Sequence, residues 1–264
     1  MTTHKRKRAL TRWIPERAFT VLRRLRFYWS LLQVHEFSVA TGRCPFCGPA
    51  VFLRLNARDE GVRCAQCTAS IVHLSIGCAI RDAIADLSES DVCEFSASGP
   101  LVEFLARSAR HADFSEYSDE GERGSSSAGV RNEDVQRLTY ADGSFGLITH
   151  SEVMEHVPDD AAAFRELRRV LLDSGCMIFT VPLSAAAVTV ERARLDSQGQ
   201  LEHLLEPVYH TDPWRTGQGI LAFRDYGEDI VGRLKAAGFS HVVVRQPTLS
   251  INWLTLRYVV VARP

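Results

Sequence analysis

The sequence predicts an α/β protein: a doubly wound, mostly parallel sheet preceded by a small metal-held module. Two observations carry this reading. From about residue 75 onward, short apolar runs alternate with amphipathic helical stretches, the pattern of a parallel sheet wrapped by helices. Ahead of them, Cys44, Cys47, Cys64 and Cys67 form two C-x2-C pairs separated by sixteen residues, a ligand spacing for zinc. The composition agrees. At 264 residues, 45% hydrophobic and 24% charged, the chain has room for one full core and a small appendage, and is neither fibrous nor disordered.

Residues 1–12 are basic and are expected to be irregular. From residue 14 to 34, Ala18, Val21, Leu22, Leu25, Tyr28, Trp29 and Leu32 recur at three- and four-residue steps, which predicts an amphipathic helix. Residues 1–43 hold ten Lys or Arg against two Glu, a net +8, while the rest of the chain carries −9. A basic arm on an acidic body points to an anionic partner, RNA or an anionic membrane surface. The competing reading docks the arm on the body's own acids. No uncharged apolar run is long enough to span a membrane and no secretory pattern is present, so a cytoplasmic protein is expected.

Residues 39–74 make the ribbon. Gly48 after the first pair can take the positive φ that turns backbone amides toward thiolates. Residues 51–55 and 61–64 read as a hairpin around Asp59-Glu60-Gly61. Four Cys ligands leave zinc no open position, so the expected site is structural. His73 lies close by and reads as surface or packing, since four ligands are already available.

The remaining elements follow in order. A helix is expected over 76–88, a strand over 92–95, a turn over 96–100 and a helix over 101–110. The strand 111–115 ends in Glu116. A Ser/Gly-rich loop covers 121–129. The strand 130–133 stops at Asp134, and 145–149 is the next strand. A helix covers 160–172, and Gly175 precedes the strand 176–181. A long insertion spans 185–224. The helix 226–237 is stopped by Gly238, and strands 241–245 and 258–262 close the chain. Ligands of such sheets lie at the carboxyl ends of the strands. Glu94, Glu116 and Asp134 all fall there, and an acid at the tip of the second strand suits ribose hydroxyls.

One ordered series is more specific: Glu133-Asp-Val-Gln-Arg-Leu138, Asp142-Gly-Ser-Phe145, Ser151-Glu-Val-Met-Glu-His-Val-Pro-Asp159, Phe164-Arg-Glu-Leu-Arg-Arg-Val-Leu171 and Gly175. It resembles class I S-adenosylmethionine-dependent methyltransferases of the type-11 kind, across roughly residues 76–264. The resemblance implies a Rossmann-like sheet of seven strands, the last inserted antiparallel beside the fifth, and S-adenosylmethionine as cofactor. It implies that Glu94 and the turn Ser96, Ser98 and Gly99 face the methionine moiety. Glu116 would hold the ribose, with Tyr117 beside the adenine. Asp134 and the Val135 amide would meet the adenine edge, and His150 and Ser151 would border the methyl group.

The sequence departs from the family in the first loop, where Ser96, Ser98 and Pro100 stand at glycine positions. An altered pose, weaker binding or an inactive adaptor would follow if those positions needed positive φ. Gly146, where the family has Asp, is a lesser departure. For proton transfer the candidates are His210, in the insertion that covers acceptors in relatives, and His150. His156 reads as a turn-stabilising residue. The expected acceptor is a small metabolite or glycan precursor under the 185–224 lid. RNA, met through the ribbon and arm, is the alternative, as is a non-catalytic zinc-ribbon adaptor.

Overall fold

A computed structural model describes residues 37–56, 61–210 and 219–264. The basic arm and the helix expected over 14–34 lie outside the described residues. The chain divides into two compact units, Met1–Ile71 and Val72–Pro264.

In the first unit, β1 (Ser38–Cys44), β2 (Gly48–Arg54) and β3 (Val62–Cys64) form an antiparallel sheet in the order β1-β2-β3. The sequence reading saw only the second hairpin. The first is closed by the Cys44–Cys47 turn itself, with Cys44 opposite Gly48. Gly48 (φ 82°) and Thr68 (φ 63°) each follow the second cysteine of a pair and each take the left-handed conformation. The two turns are therefore alike, although only one carries the glycine that adopts this geometry freely.

The second unit contains α1 (Ile71–Ala83), β4 (Asp91–Glu94), α2 (Pro100–Ser108), β5 (His111–Glu116), β6 (Ser126–Ser127), β7 (Val130–Asn132) and β8 (Phe145–Ser151). A 3-10 turn (Met154–His156), α3 (Asp160–Val170) and β9 (Leu171–Thr180) follow. After the insertion come α4 (Ile230–Ala236), β16 (His241–Arg245) and β17 (Val259–Arg263). The sheet order is β16-β17-β9-β8-β4-β5-β7-β6. Pairings through β9, β8, β4, β5 and β7 are parallel, and β17 runs antiparallel between β16 and β9, as expected.

The sheet has eight strands rather than seven. The extra edge strand β6 turns back onto β7 through Ala128 (φ 54°) and Gly129 (φ 80°), two successive positive-φ residues of the kind that close a two-residue hairpin. Cys93, Ile148, Met177, Phe179, Val260 and Ala262 share one apolar cluster with Phe164, Leu167, Ile230 and Leu234 from α3 and α4. Their strand neighbours Val92, Leu147 and Ile178 are buried too, so both sheet faces are covered.

Three boundaries depart from the sequence reading. α1 begins at Ile71, not 76: Ser75 is buried inside the helix and its hydroxyl accepts the Arg257 amide at 2.9 Å. β9 begins at Leu171, with an irregularity in its pairing before Leu147 meets Cys176. The last helix does not start at Tyr226. Arg224–Asp225 form a strand, β15, and Tyr226 bridges Leu183 with its ring buried, so α4 starts only at Ile230.

The insertion is built of short hairpins. β10 (Val190–Glu191) pairs with β15, β11 (Ala193–Leu195) with β12 (Leu201–His203), and β13 (Tyr209–His210) with β14 (Ile220–Leu221).

Candidate active site

The carboxyl ends of β8, β4, β5 and β7 lie side by side, with Thr149 beside Glu94, Glu94 beside Phe114, and Glu116 beside Asn132. Glu94 is fully buried where β4 ends. It accepts a hydrogen bond from Ser96 Oγ at 2.7 Å and a short one from Thr149 Oγ1. Burial outweighs both and pushes its carboxyl up to about 7 from an ordinary 4.5. A folded value above the unfolded one means stability present at low pH and lost as pH rises between about 4.5 and about 7. Buried Glu152 behaves likewise. Denaturant titrations at pH 5 and pH 8 should show this loss, and Glu94→Gln should reduce it while retaining the Glu152 share. An undiminished pH dependence in the variant would assign the effect elsewhere.

Gly99 caps α2 at φ 124° and ψ 175°, a region essentially restricted to glycine. A side chain there would also meet His73 Nε2 at 3.5 Å. Among the described residues the only non-glycine positive-φ positions are Thr68, Ala128 and Glu152. Ser96, Ser98 and Pro100 thus stand where no left-handed backbone is needed, and the loop keeps glycine at the one position that demands it. The Ser96 hydroxyl adds a donor to Glu94 that glycine would lack.

Glu116 is exposed at the tip of β5, and its carbonyl accepts the Glu133 amide at 3.2 Å. Tyr117 is also exposed, and its hydroxyl donates to Asp119 at 2.7 Å. Asp134 follows β7 and accepts the Gln136 amide at 2.9 Å and its side-chain nitrogen at 3.1 Å. Val135 is buried beside it. The buried acid, the glycine-capped loop and the two acids at successive strand tips fit a zwitterionic nucleoside cofactor: carboxylates for its amine and hydroxyls, and backbone for its base.

The two histidine candidates separate. His150 lies on β8, fully buried, with its ring stacked on Phe179 at 4.4 Å and neither nitrogen hydrogen-bonded among the described residues. Burial pulls it down to about 3, so it is neutral at physiological pH. Ser151 ends the same strand, half-buried. His210 sits on β13 of the insertion and reaches back to Glu155, Nδ1 to Oε1 at 3.7 Å, and that carboxylate raises its pKa.

Glu155 and Glu152 carried no role in the sequence reading, although their three-residue spacing ahead of His156 was visible. Glu152 is held at φ 53° just past β8, with its amide on the Thr180 carbonyl at 3.0 Å. Burial first, and then the Glu155 charge, raise its carboxyl to about 7. Arg224 was missed as well. It is 3% exposed and donates to the carbonyls of Met154, Val157 and Pro158 at 3.2, 2.5 and 2.7 Å, and to Glu191 at 3.0 Å. It ties the far end of the insertion to the turn that carries Glu155 and His156.

In the first unit the four sulfurs lie within 4.8 Å of one another, with Cys44–Cys67 at 3.7 Å and Cys47–Cys64 at 3.6 Å. Tetrahedral zinc with sulfurs at about 2.3 Å requires sulfur–sulfur edges of about 3.8 Å, close to these distances. The Phe46 amide points at Cys44 Sγ from 3.5 Å, as thiolate ligands require. All four cysteines are free thiols, and the cluster has the geometry of a metal site.

Residues 75–179 match the family model described as a methyltransferase domain. The match runs from α1 to β9 and takes in Glu94, Gly99, Glu116 and Asp134 at the strand ends. Residues 75–179 therefore form a methyltransferase domain.

Similar solved structures include an S-adenosylmethionine-dependent methyltransferase from Mesorhizobium loti (17% identity, 70% of this chain and 96% of that one, TM-score 0.46). Another, from Clostridium acetobutylicum ATCC 824, shares 16% identity over 71% of this chain and 89% of that one, at a TM-score of 0.47. A third is the Burkholderia thailandensis 1,6-didemethyltoxoflavin-N1-methyltransferase with bound S-adenosylhomocysteine, at 17% identity over 70% and 77% and a TM-score of 0.39. No curated protein matches the sequence. Among the described residues, no helix is long and apolar enough to cross a membrane.

Proposed function

We propose that the protein methylates a small metabolite or glycan-type acceptor held between the strand ends and the 185–224 insertion. The observation that supports this most is the contact of insertion residue His210 with Glu155, just past β8. It gives the acceptor side of the site polar groups from both the insertion and the sheet rim. The net −9 of residues 44–264 speaks against a polyphosphate acceptor and for a neutral or cationic one.

S-adenosylmethionine, when bound, supplies a methyl group activated by its sulfonium. Glu94 and the Ser96–Gly99 loop hold the methionine end, Ser98 by close approach. Glu116 takes the ribose hydroxyls, and Tyr117, Asp134 and Val135 the adenine. His150, neutral and stacked, shapes the floor beneath the methyl group, with Ser151 beside it. His210 positions the acceptor so that its nucleophilic atom lies in line with the methyl carbon, and alignment supplies much of the acceleration. Cys44, Cys47, Cys64 and Cys67 hold one structural zinc, and the protein works in the cytoplasm.

Removing a charge-assisted hydrogen bond costs about 1.5–3 kcal/mol, roughly 10- to 150-fold in affinity. Glu116→Ala should weaken S-adenosylmethionine by that factor with an unchanged melting temperature, since the side chain is exposed. Unchanged affinity would move the ribose elsewhere. To test the acceptor class, the full chain is given methyl-labelled S-adenosylmethionine and separate small-molecule and RNA fractions of a cell extract. Label is expected in the small-molecule fraction. Label in RNA would favour the basic arm and ribbon as acceptor readers, and label in neither, without cofactor binding, would favour the adaptor.

A further inference from the structure

Glu155, His156 and His210 come together from two parts of the chain. Glu155 is 1% exposed, and neither of its carboxylate oxygens has a hydrogen-bond donor among the described residues. A buried carboxylate in that state is costly unless a cation compensates it. Its Oε1 faces His156 Nε2 and His210 Nδ1, each at 3.7 Å. The two imidazole rings meet edge to face, with centroids 4.9 Å apart. His156 Nδ1 donates to the Leu221 carbonyl at 2.8 Å, so Nε2 is the nitrogen turned toward Glu155.

We propose that Glu155, His156 and His210 form a second metal site, distinct from the four cysteines, that binds a divalent first-row transition cation. Two imidazoles and one carboxylate, with positions left open, are a donor set for such metals. One donor atom from each residue lies within 4.8 Å of the others. Bond lengths of about 2.0–2.2 Å bring neighbouring donors to about 3–3.5 Å apart, so the 3.7 Å pairs need to close by less than 1 Å. The Leu221 carbonyl supplies the outer contact that metal-bound histidines use to fix ring and tautomer. The turn is also braced from behind, where the Phe223 amide donates to the Glu155 carbonyl at 2.7 Å. A cation here would fasten β13 of the insertion to the rim of β8. Its open positions would take an oxygen or nitrogen of the acceptor, which deepens the positioning role proposed for His210 and rests on that reading. Metal binding itself does not depend on which acceptor is used.

The test uses the full chain with zinc retained by the cysteines, titrated with Mn2+ and followed by the loss of free-ion electron paramagnetic resonance signal. Mn2+ avoids the thiolates, so any binding reports an oxygen and nitrogen site. About one equivalent is expected to bind, and His210→Ala and Glu155→Gln should each weaken it about 10-fold or more. A Co2+ titration should give weak visible bands without thiolate charge transfer. The half-exposed His210 makes His210→Ala the variant least able to disturb folding, and its melting temperature and S-adenosylmethionine affinity serve as controls. Loss of Mn2+ affinity with both controls intact supports the site. No binding at about 1 mM Mn2+ or Co2+, or equal binding by wild type and both variants, overturns it and leaves a plain histidine–carboxylate ion pair. Mn2+ binding without any methyl transfer would keep the site and count only against the acceptor reading.

Discussion

Cys64→Ser is expected to release the proposed zinc and unfold the small sheet of residues 38–64. Its interior is thin: Phe52, Leu55, Val62, Ala50 and Phe46 supply most of the buried apolar surface beyond the cysteines themselves. Three strands of this size do not offset their own conformational entropy. The proposed structural zinc would supply the difference, about 10–16 kcal/mol in apparent terms, and only when the thiolates converge. Cys64 is fully buried and stands on β3 opposite Phe52, so its loss removes a ligand and a core contact together. Metal analysis should fall from one equivalent to near none, and amide exchange across β1 and β2 should lose its protection. Protected amides without bound metal would show that the unit stands on packing alone.

Arg224→Ala is the second large effect, expected to cost about 3–5 kcal/mol, the range for removing one partner of a buried ion pair. The Val157 and Pro158 carbonyls each lose a donor at once, while the Met154 carbonyl keeps the Val157 amide and the Tyr226 hydroxyl. Asp160, 6% exposed, loses one of two cationic neighbours, Arg224 at 3.7 Å, and retains Arg233 at 2.9 Å. Arg224→Lys keeps the charge but not the fork that spans several acceptors, and should recover only part of the loss. Urea denaturation measures both. Because Arg224 ties the insertion to the Glu155 turn, the alanine variant should also loosen His210. A cost under about 1 kcal/mol would mean that Arg233 and water replace the clamp.

The strands were legible in the sequence because Val92–Cys93, Leu147–Ile148 and Cys176–Phe179 are apolar runs, as strands buried on both faces must be. The cysteine cluster was legible because ligand spacing is a local signal. Glu94, Glu116 and Asp134 were placed at strand ends by the same local reasoning. The insertion was not legible: its hairpin strands are two or three residues long, shorter than any window in which periodicity can be counted. The pairing of Glu155 with His210 reaches into that unreadable segment, so the sequence offered His210 as a candidate without its partner. The shift of α1 had a different cause. Ser75 lies within the helix and its hydroxyl serves Arg257, a contact that no local pattern encodes. In the glycine loop, residue identity alone could not say which of four positions needed positive φ, and only Gly99 does.

The central claim is that this strand-end site, with serines in its first loop, still holds the methyl donor. Calorimetric titration of the full chain with S-adenosylmethionine tests it most directly. The account predicts saturable binding of one molecule per chain at micromolar concentration, weakened in Glu116→Ala. No heat of binding at millimolar S-adenosylmethionine, from a chain that is folded, would contradict it.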